Sequence, residues 1–280
     1  MEYLQQAQER FKQQIGSAAT DPRRRVEDIG HAGRPDLPIV YTATKTMTLP
    51  DHVMREQRLI TGVDQGPFVD AYRVLRAQVL QQYRQKGWNV IGVSSPTTQE
   101  GKTLTAVNLS LSLAMDLAHT VLLVDADMQS PSVHRLFGVG ADPGLSEYLL
   151  DNAPLTQLLI HPGIGRFVFL PGGRSIKNSA EALASPRMTG LVHELKHRYP
   201  ARLVVFDLPP LLSRADSVGF VPHLDALLLV VEEGRTASAE IEQAMDVLKG
   251  TVPILGGILN KSGRHMLTLR QARKLVTPDR

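Results

Sequence analysis

The tripeptide Gly101-Lys102-Thr103 follows an apolar run, WNVIGV, and a polar loop, SSPTTQE, and it opens a helical pattern, LTAVNLSLSLAMDL. A helix N-terminus behind such a loop presents unpaired backbone N–H groups, and with them partial positive charge, to an anion. Lys102 has the reach and charge to meet β- and γ-phosphates, and the Thr103 hydroxyl can ligate Mg²⁺. Thr98, Gln99, Glu100, Gly101, Lys102, Thr103 and Leu104 are therefore the candidate nucleotide-binding segment. With no phosphate bound, Lys102 is expected to stand exposed. The usual loop has Gly five positions before Gly101, where this chain has Pro96. The tripeptide alone could be a surface loop; its setting between strand and helix argues for the phosphate cradle.

Two more apolar runs end in carboxylates. TVLLV leads into Asp125-Ala126-Asp127, and LVVF into Asp207. One Asp after a strand merely caps a turn. Three of them at two strand ends are how a phosphate-loop protein holds Mg²⁺ or its waters. Thr103, Asp125, Asp127 and Asp207 are the candidate metal residues, and Lys102, Asp125 and Asp127 the candidate catalytic ones. Asn260 ends the run ILGGILN, where its amide could read an adenine edge or simply serve a turn.

These residues need a scaffold that brings strand ends together. Short apolar runs at Trp88–Val93, Thr120–Val124, Arg166–Leu170, Leu203–Phe206, Ala226–Val231 and Pro253–Leu259 alternate with helical patterns near 102–117, 178–198, 214–220, 236–249 and 264–275. Continuous rather than alternating apolar runs indicate strands buried on both faces. The alternation with helices predicts an α/β fold, a doubly wound, mostly parallel sheet flanked by helices, and the Gly-Lys-Thr loop makes it one of the P-loop NTPase kind. Ligands bind beyond the carboxyl ends of such strands. A helix near 67–85 precedes the first of them, with Val69, Tyr72, Leu75, Val79, Leu80 and Tyr83 in one stripe. Upstream, after a short polar helix within residues 1–16, no periodicity is sustained as far as Gly66. The expected division is an extended or flexible arm, 1–66, and an ATP-binding domain, 67–280.

Composition narrows the choices. The 280 residues include no cysteine, which excludes thiol catalysis, disulfides and Cys-ligated clusters. No apolar run is long enough to span a bilayer, and the polar start is no secretory signal, so a cytoplasmic protein is expected. A net charge of +3 is mild, compatible with nucleotides or anionic lipid headgroups as partners and equally with a bland surface; no nucleic-acid partner is expected. His193-Glu194-Leu195-Lys196-His197 fits H-E-x-x-H, but on a helical wheel both histidines lie opposite the Met188, Leu191, Val192, Leu195 face, toward solvent rather than in a zinc cleft. Arg264, Arg270, Arg273 and Lys274 could touch anionic lipid or be ordinary helix surface.

Taken together, the motifs resemble the bacterial tyrosine kinases of capsule and exopolysaccharide systems, within the MinD/ParA-like P-loop class. SSPTTQEGKT resembles their Walker A motif, VLLVDADMQSPSVHRLFG their Walker A′ and RLVVFDLPP their Walker B, while LPGGRSIKNSAEALASPRM matches a stretch typical of the family. The resemblance implies ATP and Mg²⁺ as cofactors, with Asp125 or Asp127 accepting the tyrosine proton. DAYRVLRAQV resembles the family's ring-interface motif and makes Asp70, Arg73 and Arg76 the candidate oligomer interface of a homo-oligomer. It also implies a membrane polysaccharide co-polymerase as partner, recruiting the protein to the inner face of the membrane.

The departures are specific. Thr98-Gln99 replaces the family's Pro-Gly, so a positive φ there would strain Gln99. Gln129-Ser130 replaces arginines. No tyrosine follows Tyr199, where the family carries a tyrosine-rich tail. The last point leaves a second reading open: a regulatory ATPase whose ATP-driven assembly is the output. A ParA/MinD-like positioning ATPase would carry a second lysine early in the loop, and SSPTTQE has none.

Overall fold

The computed structural model describes residues 44–116, 118–197, 201–213 and 216–262. In chain order it contains β1 (Lys45–Thr46), α1 (Asp51–Glu56), α2 (Pro67–Lys86), β2 (Val90–Ser94), α3 (Lys102–Ala114), β3 (Thr120–Asp125), α4 (Leu145–Asp151), β4 (Ile160–His161), β5 (Phe167–Leu170), α5 (Ser179–Leu183), α6 (Pro186–His197), β6 (Arg202–Asp207), α7 (Asp216–Phe220), β7 (Ala226–Glu232), α8 (Ser238–Leu248) and β8 (Ile254–Asn260). Short helical turns lie at Val133–Leu136, Leu155–Leu158 and Val221–His223. The strands make one sheet in the order β1-β4-β5-β3-β6-β2-β7-β8, with every pairing parallel except β4 with β5. The first two strands of that order thus run opposite to the other six.

The apolar runs form strands because each strand divides its side chains between two cores. On β3, Val121 and Leu123 join one buried cluster while Leu122 and Val124 join the other; on β6, Leu203 and Val205 oppose Val204 and Phe206 in the same way. Alternate residues point to opposite faces, so a sheet covered on both sides needs an unbroken apolar run. Helices α2 and α3 cover the first face through Val79, Leu80, Leu109 and Leu113. Helix α6 covers the second through Met188, Leu191, Val192 and Leu195, and His193 and His197 face solvent as the wheel places them.

Two expectations change. The helix expected over 178–198 is two, α5 and α6, because Ser185 and Pro186 break it: the Ser185 hydroxyl donates to the Ala182 carbonyl and accepts the Met188 N–H at 3.2 Å, and Pro opens the next helix, where its missing N–H costs nothing. The described end of the expected arm is also packed. Lys45–Thr46 pairs with β4, and Leu49, Met54, Leu59 and Ile60 are buried in the first core. A buried side chain on α3 docks this stretch, since Asn108 accepts the Ile60 N–H at 2.9 Å and donates to the Arg58 carbonyl at 3.0 Å. The helices expected at 1–16 and 264–275 lie outside the described residues.

Candidate functional site

Three neighbouring strands carry the candidate residues to one place. Parallel register sets Asp125 beside Asp207 across β3 and β6, and Asp207 beside Val93 across β6 and β2. The loop after β2 then turns into α3, whose first residue is Lys102. Thr103 Oγ1 donates to Asp207 Oδ2 at 2.7 Å. Lys102 Nζ donates to Asp127 Oδ2 at 2.9 Å and lies 3.6 Å from Asp207 Oδ1. Asp125 Oδ2 accepts the N–H groups of Ser132 and Val133 at 2.9 and 3.0 Å, and its Oδ1 accepts that of Asp127 at 3.3 Å.

Contrary to the expectation of an exposed side chain, Lys102 is buried, 8% accessible. Burial alone would lower its pKa; the charges of Asp207 and Asp127 more than offset that and hold it above the usual lysine value. Asp125 is pushed up to about 7, chiefly by burial and then by the Asp207 charge, against the two backbone N–H groups that favour its ionised form. Asp207 is likewise raised by burial, with Lys102 and Thr103 pulling the other way. Two carboxylates side by side out of water share too little positive charge to ionise freely.

The phosphate loop is bent and braced. Gln99 stands at φ +64°, the left-handed conformation that penalises its side chain. Gly101 stands at φ +90°, and a Cβ there would come within 2.1 Å of Asn260 Nδ2. That Nδ2 donates to the Glu100 carbonyl at 2.8 Å, so Asn260 braces the loop with one of its amide N–H groups. Glu100 is fully buried. Thr98 and Gln99 form an exposed rim, while Leu104 packs on the first core.

Residues that sequence reasoning did not single out complete the site. Ser132 Oγ lies 3.2 Å from Thr103 Oγ1. Gly172, in the LPGGRSIKN stretch, runs so close to Asp125 that a Cβ there would sit 3.3 Å from the carboxyl carbon and 2.8 Å from Pro131. Ser132 follows the DAD motif with no residue pattern of its own, whereas the paired glycines of LPGG were a visible cue to a close approach.

Among the described residues, no three His, Asp or Glu side chains form a ready metal cage. Asp125, Asp127 and Asp207 instead gather round Lys102. Mg²⁺ seldom has an all-protein cage; it takes one or two carboxylates together with substrate phosphates and water. Thr103 and Asp207 suit that role, and Asp207 Oδ1 is buried without a hydrogen-bond partner.

Asp70, Arg73 and Arg76 lie apart from this cluster on α2. Arg73 pairs with Asp70 at 2.8 Å, both exposed, whereas Arg76 donates to the Ser112 carbonyl at 2.9 Å near the end of α3.

Residues 91–276 match the family described as the CobQ/CobB/MinD/ParA nucleotide binding domain. Tyrosine-protein kinase YwqD of Bacillus subtilis is 30% identical over 199 residues, covering 70% of this chain and 83% of that protein. Succinoglycan biosynthesis transport protein ExoP of Rhizobium meliloti is 30% identical over 220 residues, covering 76% of this chain but 27% of that protein. The first curated relatives are much longer, and the chain spans about a third or less of them. The kinase domain of Escherichia coli tyrosine kinase ETK superposes with a TM-score of 0.62 at 25% identity, over 81% of this chain and 93% of that one.

Proposed function

This chain belongs to the CobQ/CobB/MinD/ParA nucleotide-binding family and to its bacterial tyrosine-kinase branch, and from that we propose that it is an ATP- and Mg²⁺-dependent protein-tyrosine kinase serving exopolysaccharide synthesis. The observation that carries the reading is the gathering of Lys102, Thr103, Asp125, Asp127 and Asp207 at the N-terminus of α3. The loop N–H groups and Lys102 bind and orient the phosphates, and Thr103 with Asp207 would hold Mg²⁺, which when bound neutralises charge between β- and γ-phosphate oxygens. Catalysis here is positioning and charge stabilisation. The acceptor tyrosine oxygen forms a bond to the γ-phosphorus as the bond to the β,γ-bridging oxygen breaks, leaving ADP and phosphotyrosine. Asp127 takes the tyrosine proton in this scheme, because Asp125 already accepts three backbone N–H groups.

Asp70 and Arg73 form the exposed part of a homo-oligomer interface, and a membrane polysaccharide co-polymerase recruits the protein to the inner face of the membrane. No helix among the described residues is long and apolar enough to cross a bilayer. A second reading is a regulatory ATPase of the same system, favoured by the packing of the described tyrosines: Tyr72 is buried, Tyr83 lies edge-on against His119 and Tyr148 beneath the Arg187 guanidinium. Incubation of the pure protein with radiolabelled ATP, with and without cytoplasmic segments of candidate partners, separates the two. Label in protein supports the kinase, and free phosphate alone supports the ATPase.

A further inference from the structure

We propose that Thr236 and Lys261 are positioning residues that clasp the phosphate loop from the ends of β7 and β8, holding the Thr97–Gly101 turn in the shape that receives phosphates. The inference rests on the ATP-binding reading above.

The need for a clasp follows from the loop itself. Glu100 places a carboxylate within a segment meant to attract a polyanion. Turned toward phosphate it would repel; turned inward it must be hydrogen-bonded, because an unpaired buried charge is costly. The structure turns it inward. Its Oε1 accepts the hydroxyls of Thr97 at 2.9 Å and Thr236 at 2.6 Å, and its Oε2 accepts the Thr97 N–H at 3.2 Å. The Thr236 oxygen also accepts the Glu232 N–H at 2.8 Å. A carboxylate oxygen accepts, so the single Thr236 proton goes to Glu100 while the Thr236 oxygen takes the Glu232 N–H, and the hydroxyl is held from both sides.

A second tie lies one residue earlier in the loop. Lys261 Nζ donates to the Gln99 carbonyl at 2.8 Å and pairs with Glu232 at 2.9 Å. Gln99 at φ +64° and Lys261 at φ +55° are both left-handed without being glycine, and such backbone persists only where its surroundings over-determine it. The two ties share a base: Glu232 and Asn260 are register partners across β7 and β8, so Thr236 and Lys261 hang from one pair of strands and act on adjacent loop residues.

The test compares Thr236→Val, which keeps the shape and removes the hydroxyl, with Thr236→Ser, which keeps the hydroxyl, and with Lys261→Met. Amide hydrogen exchange over residues 97–102 in nucleotide-free protein should quicken in Thr236→Val and Lys261→Met and return toward wild type in Thr236→Ser. Calorimetry should show Mg·ATP binding weakened about tenfold in Thr236→Val, the scale of one hydrogen bond to a charged group, and restored by serine. Unchanged loop exchange in both Thr236→Val and Lys261→Met overturns the proposal, as does a serine variant no better than valine. Exchange needs no nucleotide, so it judges the clasp separately from the ligand. Failure of wild type to bind Mg·ATP would count against the ATP reading alone.

Discussion

The Lys102 ammonium lies 2.9 Å from the Asp127 carboxylate, and both are shielded from water. Lys102→Met should therefore abolish ATP binding and also destabilise the fold. Removing one partner of a buried pair costs about 3–5 kcal/mol, because the other charge is left unpaired. The loss should be larger at pH 8 than at pH 5. Burial already raises the folded-state pKa of Asp207 and the Lys102 charge opposes that rise; without the cation it rises further, and a carboxylate raised above its unfolded value loses stability as pH climbs through that window. Calorimetric titration with Mg·ATP and urea unfolding at the two pH values check both halves. A variant as stable as wild type at pH 8 would show that the pair is not closed in solution.

Asp207→Asn should weaken Mg²⁺-dependent turnover by about tenfold or more while leaving metal-free nucleotide binding within a few-fold. The amide keeps the shape and can still accept from Thr103, but it gives up the charge that a cation requires. Comparing ATP affinity with and without Mg²⁺ separates the two effects. Equal losses in both would make Asp207 a structural residue.

Asp125 supplies a pH signature. Its folded pKa of about 7 stands above its ordinary value of 3.8, so between those limits the folded state binds more protons than the unfolded one. Stability of the metal-free protein should fall as pH rises from about 4 to about 7, by at most about 1.4 kcal/mol for each pH unit crossed. Asp125→Asn should flatten that slope. Thermal unfolding across the range measures it, and a variant with the wild-type slope would assign the pH dependence elsewhere.

Arg73→Ala is the clean probe of the α2 surface, because its partners, Asp70 and the Asp64 carbonyl, are exposed. It should shift the protein toward monomer with ATP affinity unchanged. Arg76→Ala should in addition cost about 1 kcal/mol of stability, since Arg76 binds the Ser112 carbonyl near the end of α3. Sedimentation velocity and urea unfolding separate the two roles; identical species in wild type and Arg73→Ala would exclude the interface.

Autophosphorylation should be weak. Tyr72 is buried, Tyr83 packs edge-on against His119, and Tyr148 lies beneath the Arg187 guanidinium. Tyr3, Tyr41 and Tyr199 lie outside the described residues, and of these the arm tyrosines Tyr3 and Tyr41 are the expected acceptors. Mass spectrometry after incubation with Mg·ATP should find any phosphotyrosine there or on a second protein, and abundant modification of Tyr72 would contradict this.

The sequence was most legible where burial is continuous. Val121–Val124 and Leu203–Phe206 must be apolar at every position to fill two cores at once, so their ends, and the carboxylates on them, could be located from composition alone. The strain expected at Gln99 was legible too, since glycine's usual place predicts the φ that another residue must tolerate. What stayed hidden acts across distance. Thr236 reaches Glu100 from 136 residues away, and Asn108 docks Ile60 across 48; a hydroxyl or amide has no local periodicity to announce its partner. Leu49, Met54, Leu59 and Ile60 are spaced too irregularly to read as a core face, and the Asn108 bonds to Arg58 and Ile60 that dock the end of this stretch leave no trace in its pattern.

The reversed direction of β1 sets where flanking segments can go. A strand running backwards begins on the side where the others end, so the chain enters at Lys45 on the side where β2, β3 and β6 deliver the site, and it leaves β8 at Asn260 on that side as well. Two strand steps, about 10 Å, separate β8 from β2, and five steps, about 24 Å, separate β1 from β2. Lys45 and Asn260 thus both lie on the side of the candidate site, and Asn260 is much the nearer to the phosphate loop. An acceptor tyrosine placed upstream needs about seven extended residues merely to cross the sheet to its own phosphate loop. One placed downstream begins almost there.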